Sequence, residues 1–126
     1  MALDIRITKK KDYVYSVELK GSLDTETYQE LEQELKEIIN EKTKMMIFDM
    51  APLEYISSIG IKVVIETKKT LAKRSASFGM INLQPQIKKV FEMLKILPMV
   101  DIFQDMEEAD KYIDQMIKDE VGKKTT

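Results

Sequence analysis

At 126 residues with a net charge of −2, 44% apolar and 33% charged side chains, the chain is long enough to bury one core and too balanced in charge for a nucleic-acid footprint. It contains no cysteine and no histidine, which removes disulfides, thiolate nucleophiles, Ser-His-Asp triads and the usual zinc sites. No apolar run approaches the roughly 18–20 residues that a membrane-crossing helix needs, and the start Met1-Ala2-Leu3-Asp4 lacks a secretory pattern.

In chain order, Leu3, Ile5 and Ile7 alternate with polar residues, as do Tyr13, Tyr15, Val17 and Leu19 after the polar turn Lys9-Lys10-Lys11-Asp12. Two such runs around a short turn predict an antiparallel hairpin with a charged edge strand, and the tyrosines should pack on the sheet. Gly21-Ser22-Leu23-Asp24 closes the second strand, and a helix follows over about residues 25–41. Tyr28, Leu31, Leu35 and Ile38 form its apolar stripe, and Asp24 suits its N-cap. Met45 to Asp49 is apolar without alternation, as in a central strand covered on both faces. Pro52 marks the loop over 50–56.

A second helix runs from Ile61 to Lys73, with Ile61, Val64, Ile65 and Leu71 inward and Lys62, Lys68, Lys69 and Lys73 outward. Phe78 to Leu83 is another strand, and Pro85 opens a third helix with Ile87, Val90, Phe91 and Leu94 on one stripe and Pro98 beyond its end. Ile102-Phe103 reads as a short final strand. Ala109, Tyr112, Ile113, Met116 and Ile117 stripe a last helix, and residues 121–126 read as a flexible tail after a domain over 1–120. The β-β-α-β-α-β-α-(β)-α order implies an α/β fold: a mixed four- to five-stranded sheet with parallel crossovers and about four helices.

Tyr55-Ile56-Ser57-Ser58-Ile59-Gly60 stands where the central strand hands over to the second helix. Hydroxyls and unpaired backbone N–H groups at a helix start can meet a partner or an anion. The local reading of Ser57 and Ser58 is helix capping, which is compatible with a regulatory role. Asp24 and Asp49 are strand-end acids that could instead hold Mg²⁺, but no Asp-x-Asp site is present at Asp49-Met50-Ala51. The four glycines are scattered and make no phosphate loop.

Taken in order, the opening hairpin, Gly21-Ser22-Leu23-Asp24, the strand ending at Asp49, Leu53-x-Tyr55-Ile56-Ser57-Ser58-x-Gly60-Ile61, Lys68, Pro85-x-Ile87 with Phe91 and Leu94, Ile102-Phe103 and the final helix resemble a STAS domain of the anti-sigma-factor antagonist family. That family carries Asp-Ser-Ser/Thr-Gly before the second helix. Aligned on Gly60, its phosphorylated serine falls on Ser58, with Ser57 in place of the Asp and Ile59 in place of the second hydroxyl residue. Ser57 is the alternative acceptor.

The resemblance implies a non-catalytic cytoplasmic protein that binds an anti-sigma factor when unphosphorylated and so releases a sigma factor. That anti-sigma factor is also a serine kinase, and it switches the protein off at Ser58; a PP2C-type serine phosphatase resets it. The implied partner surface is Ser22, Leu23, Asp24, Thr25, Ser57, Ser58, Ile59, Gly60, Ile61 and Lys62, with Asp24 and Asp49 supporting the phosphosite. ATP belongs to the kinase, so this chain needs no cofactor or metal, and neither nucleic acid nor membrane insertion is implied. The alternative is a phosphorylation-independent STAS scaffold or a regulatory subunit of a signalling or transporter complex. The sequence leaves the oligomeric state open.

Overall fold

A computed structural model of the protein describes residues 2–96 and 100–124. Pro98 therefore lies outside the described residues. The elements are β1 (Leu3–Lys11), β2 (Val14–Leu23), α1 (Tyr28–Ile38), β3 (Met45–Asp49), β4 (Leu53–Ile56), α2 (Ser58–Lys73), β5 (Ser77–Ile81), α3 (Pro85–Met93), β6 (Asp101–Phe103) and α4 (Met106–Lys124). The last helix continues into the segment expected to be a tail.

The sheet has six strands in the order β1-β2-β3-β5-β6, with β4 paired to the end of β2. Among the described residues only β1 and β2 pair antiparallel; β2–β3, β2–β4, β3–β5 and β5–β6 are parallel. The mixed α/β fold with an N-terminal hairpin and parallel crossovers is thus as the sequence implied. One strand more is present, because the expected loop over 50–56 contains β4.

Why β3 lacks alternation is visible in its neighbours. Met46 and Phe48 enter a large core shared with α1, α2 and α3. Met45 and Ile47 enter a smaller core on the other face, covered by Ala109 and Ile113 of α4. Successive strand residues face opposite sides, so a strand with a helix layer on each face must be apolar throughout. Phe48 meets Phe78 of β5 edge-to-face at 4.9 Å, a geometry favoured by the ring quadrupoles.

The predicted helical stripes mostly hold. Leu31 and Leu35 are buried, with Tyr28 and Ile38 packed at the margin of the core. Ile87 and Phe91 are buried on α3, but Leu94 is 54% exposed, because the helix stops at Met93 and Leu94 is already its C-cap. Pro85 does occupy the first turn of α3, where its missing N–H removes nothing. Lys68 is half-buried, whereas Lys62, Lys69 and Lys73 are exposed.

Tyr13 does not pack on the sheet. It forms the β1–β2 turn at φ 67° and is 38% exposed. This left-handed conformation lets its carbonyl accept from the N–H groups of Lys44 (2.8 Å) and Met45 (3.3 Å), fixing the start of β3. Ion pairs Lys10–Asp110 (2.8 Å) and Lys11–Asp114 tie the hairpin to α4. Among the described residues, no helix is long and apolar enough to cross a membrane.

Candidate functional site

The C-terminal ends of β2 and β4 lie side by side. Their register pairs Gly21 with Leu53, Ser22 with Tyr55 and Leu23 with Ile56, with a shift between Gly21 and Ser22. Gly21 sits at φ 109°, and a Cβ there would lie 2.3 Å from the carbonyl oxygen of Ala2. Only glycine fits that conformation beside a neighbouring backbone. Its own N–H donates to Pro52 O (3.0 Å), which anchors the start of β4.

Because the two strands end together, so do the loops that follow. Ser57 N–H donates to Leu23 O at 2.9 Å. Ser57, not a residue nearer Ile61, is the N-cap of α2, with extended backbone (φ −94°, ψ 175°). Its Oγ accepts from Gly60 N–H at 3.4 Å and its carbonyl accepts from Ile61 N–H at 3.0 Å. The helix therefore starts three residues earlier than the apolar spacing indicated, and Ser58 is its first helical residue.

Gly60 makes this start possible. A Cβ there would lie 2.7 Å from Leu23 O and 2.8 Å from an Ile56 side-chain carbon. Without one, the first turn of α2 rests directly on the ends of β2 and β4. Ser58 is left exposed, and Ser57 and Ile59 are half-buried.

On the β2 side, Asp24 is not the N-cap of α1. That position belongs to Thr27, which is 3% exposed. Asp24 Oδ1 accepts from Glu26 N–H (2.9 Å), an Asx turn that delays the helix. Thr27 Oγ1 accepts from Asp24 N–H (3.0 Å) and donates to Ser22 O (2.8 Å). This residue, missed from the sequence, locks the loop that carries Asp24 and Thr25. Its only sequence signal is a second hydroxyl residue three positions after Asp24.

The expected partner surface divides by exposure. Thr25, Ser58 and Lys62 are exposed, and Asp24, Ser57 and Ile59 are half-buried. Ser22 and Leu23 are fully buried, Gly60 is buried, and Ile61 is 6% exposed. Those four shape the surface and do not offer side chains to a partner; in particular Ile61 belongs to the core. Tyr55, 51% exposed and next to Ile56, adds the large aromatic side chain of the same edge.

Asp49 lies elsewhere. It pairs in register with Glu18, upstream on β2 of the Leu23 that pairs with Ile56. Its Oδ1 accepts from Ala51 N–H (3.1 Å) and Asn82 Nδ2 (3.2 Å), holding the β3–β4 turn and the end of β5. Among the described residues, no group of three or more acids forms a metal cluster.

Fold and site together define a small α/β domain that presents hydroxyls and helix N–H groups at the edge where parallel strands end. The chain belongs to the STAS domain family, whose model matches residues 6–109. It is similar to BtrV of Bordetella bronchiseptica, named as a candidate anti-sigma factor antagonist, with 28% identity over 91 residues, 72% of this chain and 78% of that protein. Its fold matches that of an anti-sigma factor antagonist from Mycobacterium paratuberculosis, with a TM-score of 0.79 and 18% identity over 90% of this chain and 95% of the other. The phosphorylated form of the Bacillus cell fate determinant SpoIIAA superposes with a TM-score of 0.70 and 17% identity, covering 86% of this chain and 99% of the other.

Proposed function

We propose that this protein is a cytoplasmic anti-sigma-factor antagonist switched at Ser58. Unphosphorylated, it binds an anti-sigma factor through Thr25, Tyr55, Ser58, Ile59 and Lys62, and the sigma factor is freed. The anti-sigma factor is also a serine kinase and phosphorylates Ser58; a PP2C-type phosphatase restores the binding form. The role is regulatory and asks no catalysis of this chain.

The observation that carries the reading is the position of Ser58. It is exposed at the first helical residue of α2, beside the Asp24 loop, while Ser57 is occupied as the cap. A phosphoryl group there adds about −1.5 to −2 charges and three acceptor oxygens. The helix dipole and first-turn N–H groups favour such an anion. A partner surface packed on Ile59 would meet a strongly hydrated charge instead. Phosphorylation then abolishes binding without unfolding the domain.

One observation favours a second reading, a phosphorylation-independent STAS scaffold. No carboxylate precedes Ser58; Ser57 stands there, with its Oγ turned to Gly60 N–H. The deciding experiment is incubation with ATP and native cell extract, followed by intact mass and peptide mapping. One phosphoryl group on Ser58 supports the switch. A phosphoryl group on Ser57 moves the switch by one residue. No modification in an extract whose family kinase phosphorylates its own substrate establishes the scaffold reading.

A further inference from the structure

At the pole of the sheet opposite Ser58 lies a cleft of about 700 Å³, within the size range of small-molecule sites. It forms where β3 and β5 begin, α2 ends, and the middle turns of α4 pass the β1–β2 turn. Tyr13, Lys42, Arg74, Ser77, Tyr112 and Asp119 are among its lining residues. None of them belongs to the Ser58 surface.

Three features give the cleft a chemical preference. Lys42, Lys44 and Arg74 outnumber the acids Glu41 and Asp119 in the lining, and neither Lys42 nor Arg74 forms an ion pair among the described residues. Of the acids in the lining, Asp119 already accepts from Gln115 Nε2 at 3.0 Å. The two tyrosines, each 38% exposed, supply aromatic wall; Tyr112 is braced by Phe103 at 5.3 Å between ring centroids. The Ser77 hydroxyl is half-buried and, among the described residues, finds only the Met116 sulfur at 3.8 Å, a weak acceptor. A ligand oxygen would be a better partner for it.

The helix dipoles do not create this preference. Helix C-termini gather at this end and favour cations, so part of the basic lining neutralises them. Arg74 is itself the C-cap of α2. What dipole compensation leaves without a role is the combination of concavity, two tyrosines in the lining and an under-used hydroxyl. We infer that this cleft binds a small organic anion with a planar ring, its anionic group held by Lys42 and Arg74 and its ring lying against Tyr13 and Tyr112. Such a ligand would bridge the β1–β2 turn and α4 far from the serine. The inference stands apart from the anti-sigma reading.

Phenyl phosphate, with inorganic phosphate as the ring-free control, tests it in ¹⁵N-edited NMR titrations of the full chain. Saturable amide shifts at Tyr13, Ser75, Ser77 and Tyr112, weaker with inorganic phosphate and reduced about tenfold or more in affinity by joint Lys42→Ala and Arg74→Ala substitution, support the site. Tyr112→Ala should weaken phenyl phosphate and leave inorganic phosphate unchanged. Shifts confined to residues 57–61 would assign the anion to the start of α2 and overturn the proposal. No saturable shift at millimolar ligand would also overturn it, as would equal binding by the doubly substituted, folded variant.

Discussion

The carbonyl oxygen of Leu23 accepts a hydrogen bond from Ser57 N–H at 2.9 Å, and so joins the last residue of β2 to the residue that caps α2. The same oxygen is what a Cβ on Gly60 would approach to 2.7 Å. One backbone atom thus sets where α2 starts and how closely it lies on the sheet. That in turn decides that Ser58 faces outward beside the Asp24 loop.

Gly60→Ala should therefore act on the site and on stability together. The obstructing atom is backbone, so the new methyl cannot be relieved by turning a side chain alone. Overpacking of this kind costs about 1–3 kcal/mol. Urea unfolding should show that loss, and partner binding should fall because the first turn of α2 is lifted. Unchanged stability would mean that α2 does not rest on Leu23 as described.

What was legible in the sequence was legible through periodicity. The hairpin, the unbroken apolar run over residues 45–48 of β3 and the stripes on α1 and α3 each follow from burial on one or two faces. β4 was not, for a physical reason. Its four residues show only Leu53 and Ile56 buried, with no alternation, and Pro52 precedes them. It is a strand because the end of β2 offers it a partner, which local sequence does not reveal. The first turn of α2 was missed likewise: Ser58, Ile59 and Gly60 are poor helix formers, and packing on Leu23 overrides their propensity. At α1, Asp24 suits a cap by type, yet its Asx turn and buried Thr27 move the start downstream.

The two serines should separate cleanly on substitution. Ser57→Ala removes the hydroxyl that caps α2 and should cost about 1 kcal/mol in denaturant unfolding. Ser58→Ala removes an exposed hydroxyl and should stay within about 0.5 kcal/mol of the parent. Phosphoryl incorporation should show the reverse pattern, lost in Ser58→Ala and retained in Ser57→Ala. A larger stability loss for Ser58→Ala than for Ser57→Ala would contradict the cap assignment.

Thr27→Val tests the lock on the neighbouring loop. Valine keeps the shape but leaves Ser22 O without the Thr27 donor and Asp24 N–H without its acceptor, both in a largely buried setting. The expected cost is about 1–3 kcal/mol. Hydrogen exchange should accelerate at Asp24 and Glu26 before it does in the sheet. Uniform acceleration across the sheet would instead show that Thr27 is simply core.

The α4–hairpin tie predicts a specific pH dependence. The hydrogen bond and charge of the Lys11 ammonium hold the Asp114 carboxyl below its ordinary value of 3.8. A carboxyl depressed in the folded state contributes its stability above the unfolded value and loses it as pH falls through the folded one. The stability difference between the parent and Asp114→Asn should thus be present at neutral pH and close at pH below about 3.8. Because the pair is solvent-exposed, the difference should be small and shrink further in high salt. A difference that grew on acidification would reverse the sign argued here.

Phosphorylation of Ser58 itself gives the sharpest test of a surface switch. The new charge sits at the first helical residue of α2, where dipole and N–H groups favour an anion by about 0.3–1 kcal/mol. The phosphorylated protein should melt at the same temperature as the parent or slightly above it. Its affinity for the proposed anti-sigma partner should nonetheless fall by about 100-fold or more, since the charge would have to be desolvated against a surface fitted to Ile59 and Tyr55. Calorimetric melting and binding titration on the same phosphorylated sample separate the two effects. A lowered melting temperature with loss of the far-ultraviolet helical signal would place the switch in the fold, because α2 would then be melting and the Leu23–Ser57 junction opening with it.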